Sequence, residues 1–206
     1  PKSEALGEYV EKLAERSEII RNGCDPRIDN MLLVTNDGRK AALDLRMIDP
    51  SMPDLPDSKI NMAVENIYRI WLENKEDRLT QLVFCDLSTP RTDGTFNVYD
   101  DIKDKLVARG VPEEEIEFIH NAKTNPQKLK LFEDMRNGTK RILIGSTSKM
   151  GAGMNVQDKL VALHHLDCPW RPSDIEQREG RILRQGNQNE EVEIYRYVTE
   201  GSFDAY

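Results

Sequence analysis

Three side chains near the end of the chain are spaced to grip phosphate together. Gln177, Arg181 and Arg184 stand four and then three residues apart, which puts them on one face of a helix. Two guanidiniums and an amide facing one way suit a polyphosphate, because the planar arginine fork matches phosphate oxygens and stays charged. Ser173-Asp-Ile-Glu176 fits a capping box and predicts a helix starting just after Ser173. Ile175 and Ile182 then fall on a roughly opposite face and can anchor that helix to a sheet. Gly180 costs about 1 kcal/mol relative to Ala inside a helix, so its presence predicts close approach of another backbone or a ligand. Isolated surface arginines would explain such a face equally well; the loop before it tips the balance.

That loop, Ser146-Thr-Ser-Lys-Met-Gly-Ala-Gly-Met-Asn155, is rich in small residues and lies between the apolar runs 141–145 and 160–166. Further back the chain alternates. Residues 82–85, 116–120, 142–145, 160–166 and 192–198 read as strands, and 58–72, 98–110 and 126–138 as helices, the last two ending at Gly110 and Gly138. Such alternation predicts an α/β fold with a mostly parallel sheet and right-handed crossovers. In that architecture the loops beyond the strand C-termini carry function. The loop 146–155 and the segment after Asp167 both begin there.

Ahead of this lies a different region. Residues 1–22 form an amphipathic pattern ended by Gly23 and Pro26. Residues 30–35 read as a buried piece, Asp37-Gly38 as a turn, and 50–56, with three prolines, as a linker. The expected division is a helical extension and linker over 1–57 and a single α/β lobe over 58–206.

Gln177-Arg-Glu-Gly-Arg-Ile-Leu-Arg184 resembles the last signature motif of superfamily 2 helicases, and Ser148-Lys-Met-Gly-Ala-Gly-Met-Asn155 resembles the motif before it. The Asp167-Cys-Pro-Trp-Arg-Pro172 bridge is similar to that of Swi/Snf-type DNA translocases. The nearest likeness is to the helicase region of large bacterial and phage proteins that join such a helicase to an adenine-specific DNA methylase. Two motifs in order, with the intervening segment, are a specific signal. The resemblance implies the second RecA-like lobe of a DNA-dependent ATPase. By matching positions, Arg184 is similar to an arginine finger and Arg181 to the arginine that supports it. Gln177, Gly153 and Asn155 fall where the family approaches nucleotide, and Thr147 and Lys149 where it touches the nucleic-acid backbone. Ser58 and Lys59 match a segment that opens the second lobe and are weaker candidates for contact. Trp170 could stack on a base, but its place between two prolines predicts a buried ring. Met154, His120-Asn-Ala-Lys123 and Lys128 depart from chromatin remodellers toward the methylase-linked branch.

The chain has no Gly-Lys pair and hence no G-x-x-x-x-G-K-[ST] phosphate loop. The resemblance places ATP and Mg²⁺ mainly in a first lobe, which this sequence does not contain. The expected partners are DNA, that first lobe and a methylase domain of the same polypeptide. A non-hydrolysing RecA-like module for nucleic-acid or protein contact is the alternative. Net charge is −8, which argues against a general nucleic-acid coat protein. Residues 139–186 nonetheless carry eight Lys/Arg against five Asp/Glu, as expected of one phosphate-gripping surface on an acidic body. Cys24, Cys85 and Cys168 form no CxxC pair, so no disulfide framework or metal site is expected, and a reducing, cytoplasmic setting is. No apolar run is long enough to span a membrane. The ends suggest a piece of a longer polypeptide.

Overall fold

A computed structural model describes residues 3–151 and 153–205. Its centre is a five-stranded sheet of β1 (Thr80–Phe84), β2 (Ile116–Phe118), β3 (Ile142–Gly145), β4 (Leu160–His165) and β5 (Glu193–Arg196). Their order is β2-β3-β1-β4-β5 and every pairing is parallel. β1 is therefore central, and it is buried throughout. Neighbouring side chains on a strand face opposite ways, and both faces are covered. Val83, Ile142 and Ile144 pack with Ile60, Val64, Ile67, Tyr99 and Ile102 on one side. Leu82, Phe84 and Leu143 pack with Leu131, Met135, Met150 and Ile182 on the other. This is the parallel α/β arrangement expected of the alternation.

The helices are α1 (Glu4–Arg21), α2 (Met31–Leu43), α3 (Lys59–Glu73), α4 (Val98–Ala108), α5 (Asn125–Arg136) and α6 (Pro172–Glu179). Local chemistry sets their ends. The Ser58 hydroxyl accepts from Asn61 N at 3.2 Å and starts α3. Thr124 and Gln127 form a capping box at α5. Gly110 and Gly138 take positive φ after α4 and α5, the left-handed geometry that favours glycine at a helix end.

Several local expectations fail for identifiable reasons. Residues 30–35 are not buried as a piece; of their apolar side chains only Val34 is buried. They open α2, whose buried stripe is Val34, Gly38, Ala41 and Ala42, while Met31, Leu32 and Leu33 are exposed. Gly38 is no turn: it sits inside α2, where the Phe203 ring lies against it, its Cγ 2.7 Å from where a β-carbon would stand. Lys59 is buried and ion-paired to Asp204 at 2.7 Å, which removes it as a ligand contact. β2 ends at Phe118 and gives way to a 3-10 turn over Ile119–Asn121.

α2 packs against α1 on one side and the 3-10 turn over Phe203–Ala205 on another. Thr199 Oγ1 donates to Ala42 O at 2.8 Å. Arg46 bridges Asp44 and Asp101 at 2.8 and 3.1 Å, tying the segment after α2 to α4. Arg16 joins α1 to Asp29 and Asp37 at 2.8 and 2.9 Å.

Candidate nucleotide and nucleic-acid site

β1, β3 and β4 end side by side, with Phe84 in register with Gly145 and with His165. The loops that follow them deliver Asp86, Thr147 and Asp167 to one place. A cleft of about 610 Å³ opens there, and Thr147, Lys149, Asp174, Gln177 and His120 line it. Three of the predicted residues, Thr147, Lys149 and Gln177, are thus together. His120 is held below its ordinary pKa by burial, with Lys149 adding to the effect, so its ring is neutral near pH 7.

Thr147 is less free than its predicted role requires. Its amide and hydroxyl both reach Asp86, at 2.7 Å for the amide and 2.9 Å for the hydroxyl to Oδ2. The same hydroxyl accepts from Arg178 Nε at 2.8 Å. Arg178 was not foreseen as a site residue. Its side chain is wholly buried; it also donates to Asp167 O (2.9 Å), Asp167 Oδ1 (3.0 Å) and His165 Nδ1 (3.3 Å) and is ion-paired with Asp86 Oδ2 (2.9 Å). Asp167 Oδ2 in turn accepts from the amides of Asp86 and Leu87. A signal existed in the sequence: two apolar strand runs, 82–85 and 160–166, are each followed at once by an aspartate.

The arginines are placed differently from expectation. α6 begins at Pro172, with Arg171 at its N-cap and no side-chain cap. Proline fixes φ and has no N–H to satisfy, so it starts the helix without help, and the capping box at Ser173 does not form. α6 ends at Glu179. Arg181 N and Ile182 N bond back three residues, to Arg178 O and Glu179 O, so the chain tightens and Arg181 and Arg184 lie beyond the helix. The shared helical face is therefore not what unites them with Gln177. Ile182 is buried as expected and Ile175 only half-buried. Around Gly180 a β-carbon would meet only Glu176 O at 3.1 Å and Gln177 O at 3.7 Å, so the predicted close approach is by its own helix.

Arg184 is exposed and donates to Met154 O and Asn155 Oδ1, both at 3.2 Å. Arg136 holds Asn155 O at 2.8 Å. Gly153 precedes them at φ +88° with open space around it; Ala152 lies outside the described residues. Arg181 is 6% exposed, and its Nε has no hydrogen-bond partner. No carboxylate among the described residues pairs with it. Burial lowers its pKa and the neighbouring Arg184 charge lowers it further. The loop 146–155 thus carries two groups, Thr147 and Lys149 by the cleft and Gly153 and Asn155 with the arginines. Among the described residues no hydrogen bond joins the two.

Trp170 is 62% exposed rather than buried. The Arg39 guanidinium of α2 stacks 4.5 Å over its ring and donates to Cys168 O at 2.7 Å. His164 and His165, neighbours on β4, face opposite ways. His164 bonds Tyr197 and Gln81, and His165 bonds Glu179. Among the described residues no helix is long and apolar enough to cross a membrane.

The five-stranded parallel sheet with helices packed on both faces is a RecA-like fold. The family model described as helicase conserved C-terminal domain matches residues 59–186, more than half of the chain. The chain belongs to that family, the helicase conserved C-terminal domains. It is 36% identical over 77 residues to "Defense against restriction protein B" of Escherichia phage P1, a match covering 37% of this chain and 3% of that protein. Its fold is similar to that of the C-terminal part of the Fun30 ATPase domain, with a TM-score of 0.51 at 17% identity over 77% of this chain and 47% of the other. It is likewise similar to Mss116p bound to ssRNA and AMP-PNP, with a TM-score of 0.51 at 18% identity over 69% and 25%. At these identities the two structures speak to fold alone. The chain spans about 3% of the curated relative and about half or less of these structures.

Proposed function

We propose that this chain is the second lobe of a Swi/Snf-type, ATP-dependent DNA translocase or helicase, with residues 58–206 as the lobe and 1–57 as a helical extension. The observation that carries the reading is Arg181: a buried cation whose Nε is unpartnered, beside a second, exposed cation, Arg184. An unpaired buried donor costs about 1–3 kcal/mol. A chain retains such a group readily where a ligand anion completes it, and a nucleotide phosphate has the right chemistry. ATP would supply that polyphosphate and the free energy of its hydrolysis, with Mg²⁺ held mainly by a first lobe. Arg184 would act as the arginine finger, Arg181 would support it, and Gly153, Asn155 and Gln177 would border the nucleotide. Lys149 would meet the DNA backbone, with Thr147 shaping the turn that presents it.

On this reading the lobe is inactive without its partner lobe, which lies elsewhere in the same polypeptide together with a methylase domain, in a cytoplasmic setting. The name of the phage relative suggests a role in evading restriction. The test is ATP hydrolysis by the complete polypeptide with and without DNA, beside Arg184→Ala. Stimulation by DNA that is lost in a folded variant supports the motor. Absent stimulation in the parent protein, or a variant equal to it, leaves the non-hydrolysing module as the better reading.

A further inference from the structure

Arg178 is a wholly buried and heavily partnered side chain, and the proposed reaction gives it nothing to do. A guanidinium has five N–H donors, and here four make hydrogen bonds while the charge is also ion-paired. Nε serves Thr147 Oγ1; Nη1 serves Asp167 O and His165 Nδ1; Nη2 serves Asp167 Oδ1 and forms an ion pair with Asp86 Oδ2. The acceptors come from the ends of β1, β3 and β4, while Arg178 itself belongs to α6. Its side chain has no exposure and cannot touch DNA. Burying a guanidinium is costly unless its donors are satisfied and the charge is paired; four hydrogen bonds and ion pairs with Asp167 and Asp86 offset that cost here. The two carboxylates are locked in turn, Asp167 by the amides of Asp86 and Leu87 and Asp86 by the amide and hydroxyl of Thr147.

We infer that Arg178 is a positioning residue for nucleic-acid grip. Resting on the motor reading above, it sets the turn that carries Lys149 at a fixed distance from α6, so that Lys149 meets the DNA backbone from a turn held rigidly against that helix. Thr147 is the link: its hydroxyl accepts from Arg178 and donates to Asp86, so it acts by holding the turn and not by touching phosphate. Lysine cannot replace this arginine. Its three donors form no planar fork, and one point charge cannot reach three strand ends at once.

The experiment uses the complete polypeptide and a labelled DNA duplex, with fluorescence anisotropy for affinity and DNA-stimulated ATP hydrolysis for turnover. Variants are Arg178→Lys, Thr147→Val, Thr147→Ser and Lys149→Ala. Misplacing a contact turn by about an ångström can cost roughly a hundredfold, so at least a tenfold rise in both Kd and half-stimulating DNA concentration is expected for Arg178→Lys and Thr147→Val. Thr147→Ser, which keeps the hydroxyl, restores both. The salt dependence of binding separates holding from touching. Lys149→Ala should lower the slope of log K against log salt by about one, whereas Arg178→Lys weakens binding with an unchanged slope. A merely structural Arg178 would reduce the active fraction and leave Kd and the half-stimulating concentration where they were, which overturns the proposal. So does a Thr147→Ser variant as weak as Thr147→Val. If the parent protein binds DNA without hydrolysing ATP, the motor reading falls, and the positioning role is still decided by Kd and salt slope. If it does not bind DNA, both fall.

Discussion

Arg181→Met should make the protein more stable and less active at once. The arginine stem is buried with the core residue Ile182 beside it in sequence, and methionine keeps most of its volume. What disappears is a cation whose Nε finds no acceptor and whose pKa is lowered by burial and by Arg184. Releasing an unsatisfied buried donor is worth about 1–3 kcal/mol, and replacing buried charge by an apolar side chain of similar size is neutral or stabilising. The lost packing of an imperfect fit offsets part of this, about 1 kcal/mol. The net expectation is a gain of about 1 kcal/mol, or 2–4 °C in Tm for a chain of this size. Urea unfolding of the parent and the variant reads the first half, and DNA-stimulated hydrolysis by the complete polypeptide reads the second, where turnover should fall at least a hundredfold. A variant destabilised by more than about 1 kcal/mol would mean that the cation is paired and structural, and the phosphate argument would go with it.

Three other outcomes follow from the same geometry. Arg184→Ala removes an exposed side chain with two 3.2 Å contacts, so stability should move by less than about 1 kcal/mol while turnover drops by roughly 10³ or more; an equal loss of both would remove the finger assignment. Gly38→Ala gains about 1 kcal/mol of helix propensity but drives a methyl into the Phe203 ring, an overpacking cost of about 1–3 kcal/mol, so chemical denaturation should show a net loss. Burial lowers the pKa of His164 to about 3, with His165 adding to the effect. The unfolded state, near 6.5, takes up a proton that the folded state refuses. Stability is therefore greatest above about pH 6.5 and declines as pH falls toward 4. Replacing His164 by Gln should recover roughly 2 kcal/mol of the loss between pH 6.5 and 4.5, and an unchanged acid limb would contradict that.

The sheet was legible because its strands are short apolar runs, 82–85, 142–145 and 160–166, closed by turn residues, and a strand buried on both faces has little else it can be. Ser58, Gly110 and Gly138 marked helix ends for local reasons that tertiary contacts left intact. The site was legible as a set of residue types but not as a geometry. Gln177, Arg181 and Arg184 have helical spacing, yet hydrogen bonds from Arg181 and Ile182 reach back only three residues, and spacing says nothing about where a helix tightens. Arg178 looked like surface because arginine usually is, and the acceptors that bury it lie up to 92 residues away in sequence at Asp86. Trp170 shows the converse: flanking prolines say nothing of what covers a ring, and what covers this one is Arg39, 131 residues earlier.

The buried pair Lys59–Asp204 joins residues 145 apart, and Thr199 meets Ala42 across 157. Closing such long loops is slow, because chain entropy is lost before the contact repays it. A ribosome makes α2 and the start of α3 long before the segment that covers them. While residues 60–198 are being made, then, the Lys59 ammonium lacks its Asp204 carboxylate and the groove at Gly38 has no ring. Those surfaces must stay wet until residues 199–205 emerge, so the extension becomes native only after the lobe that follows it has been made.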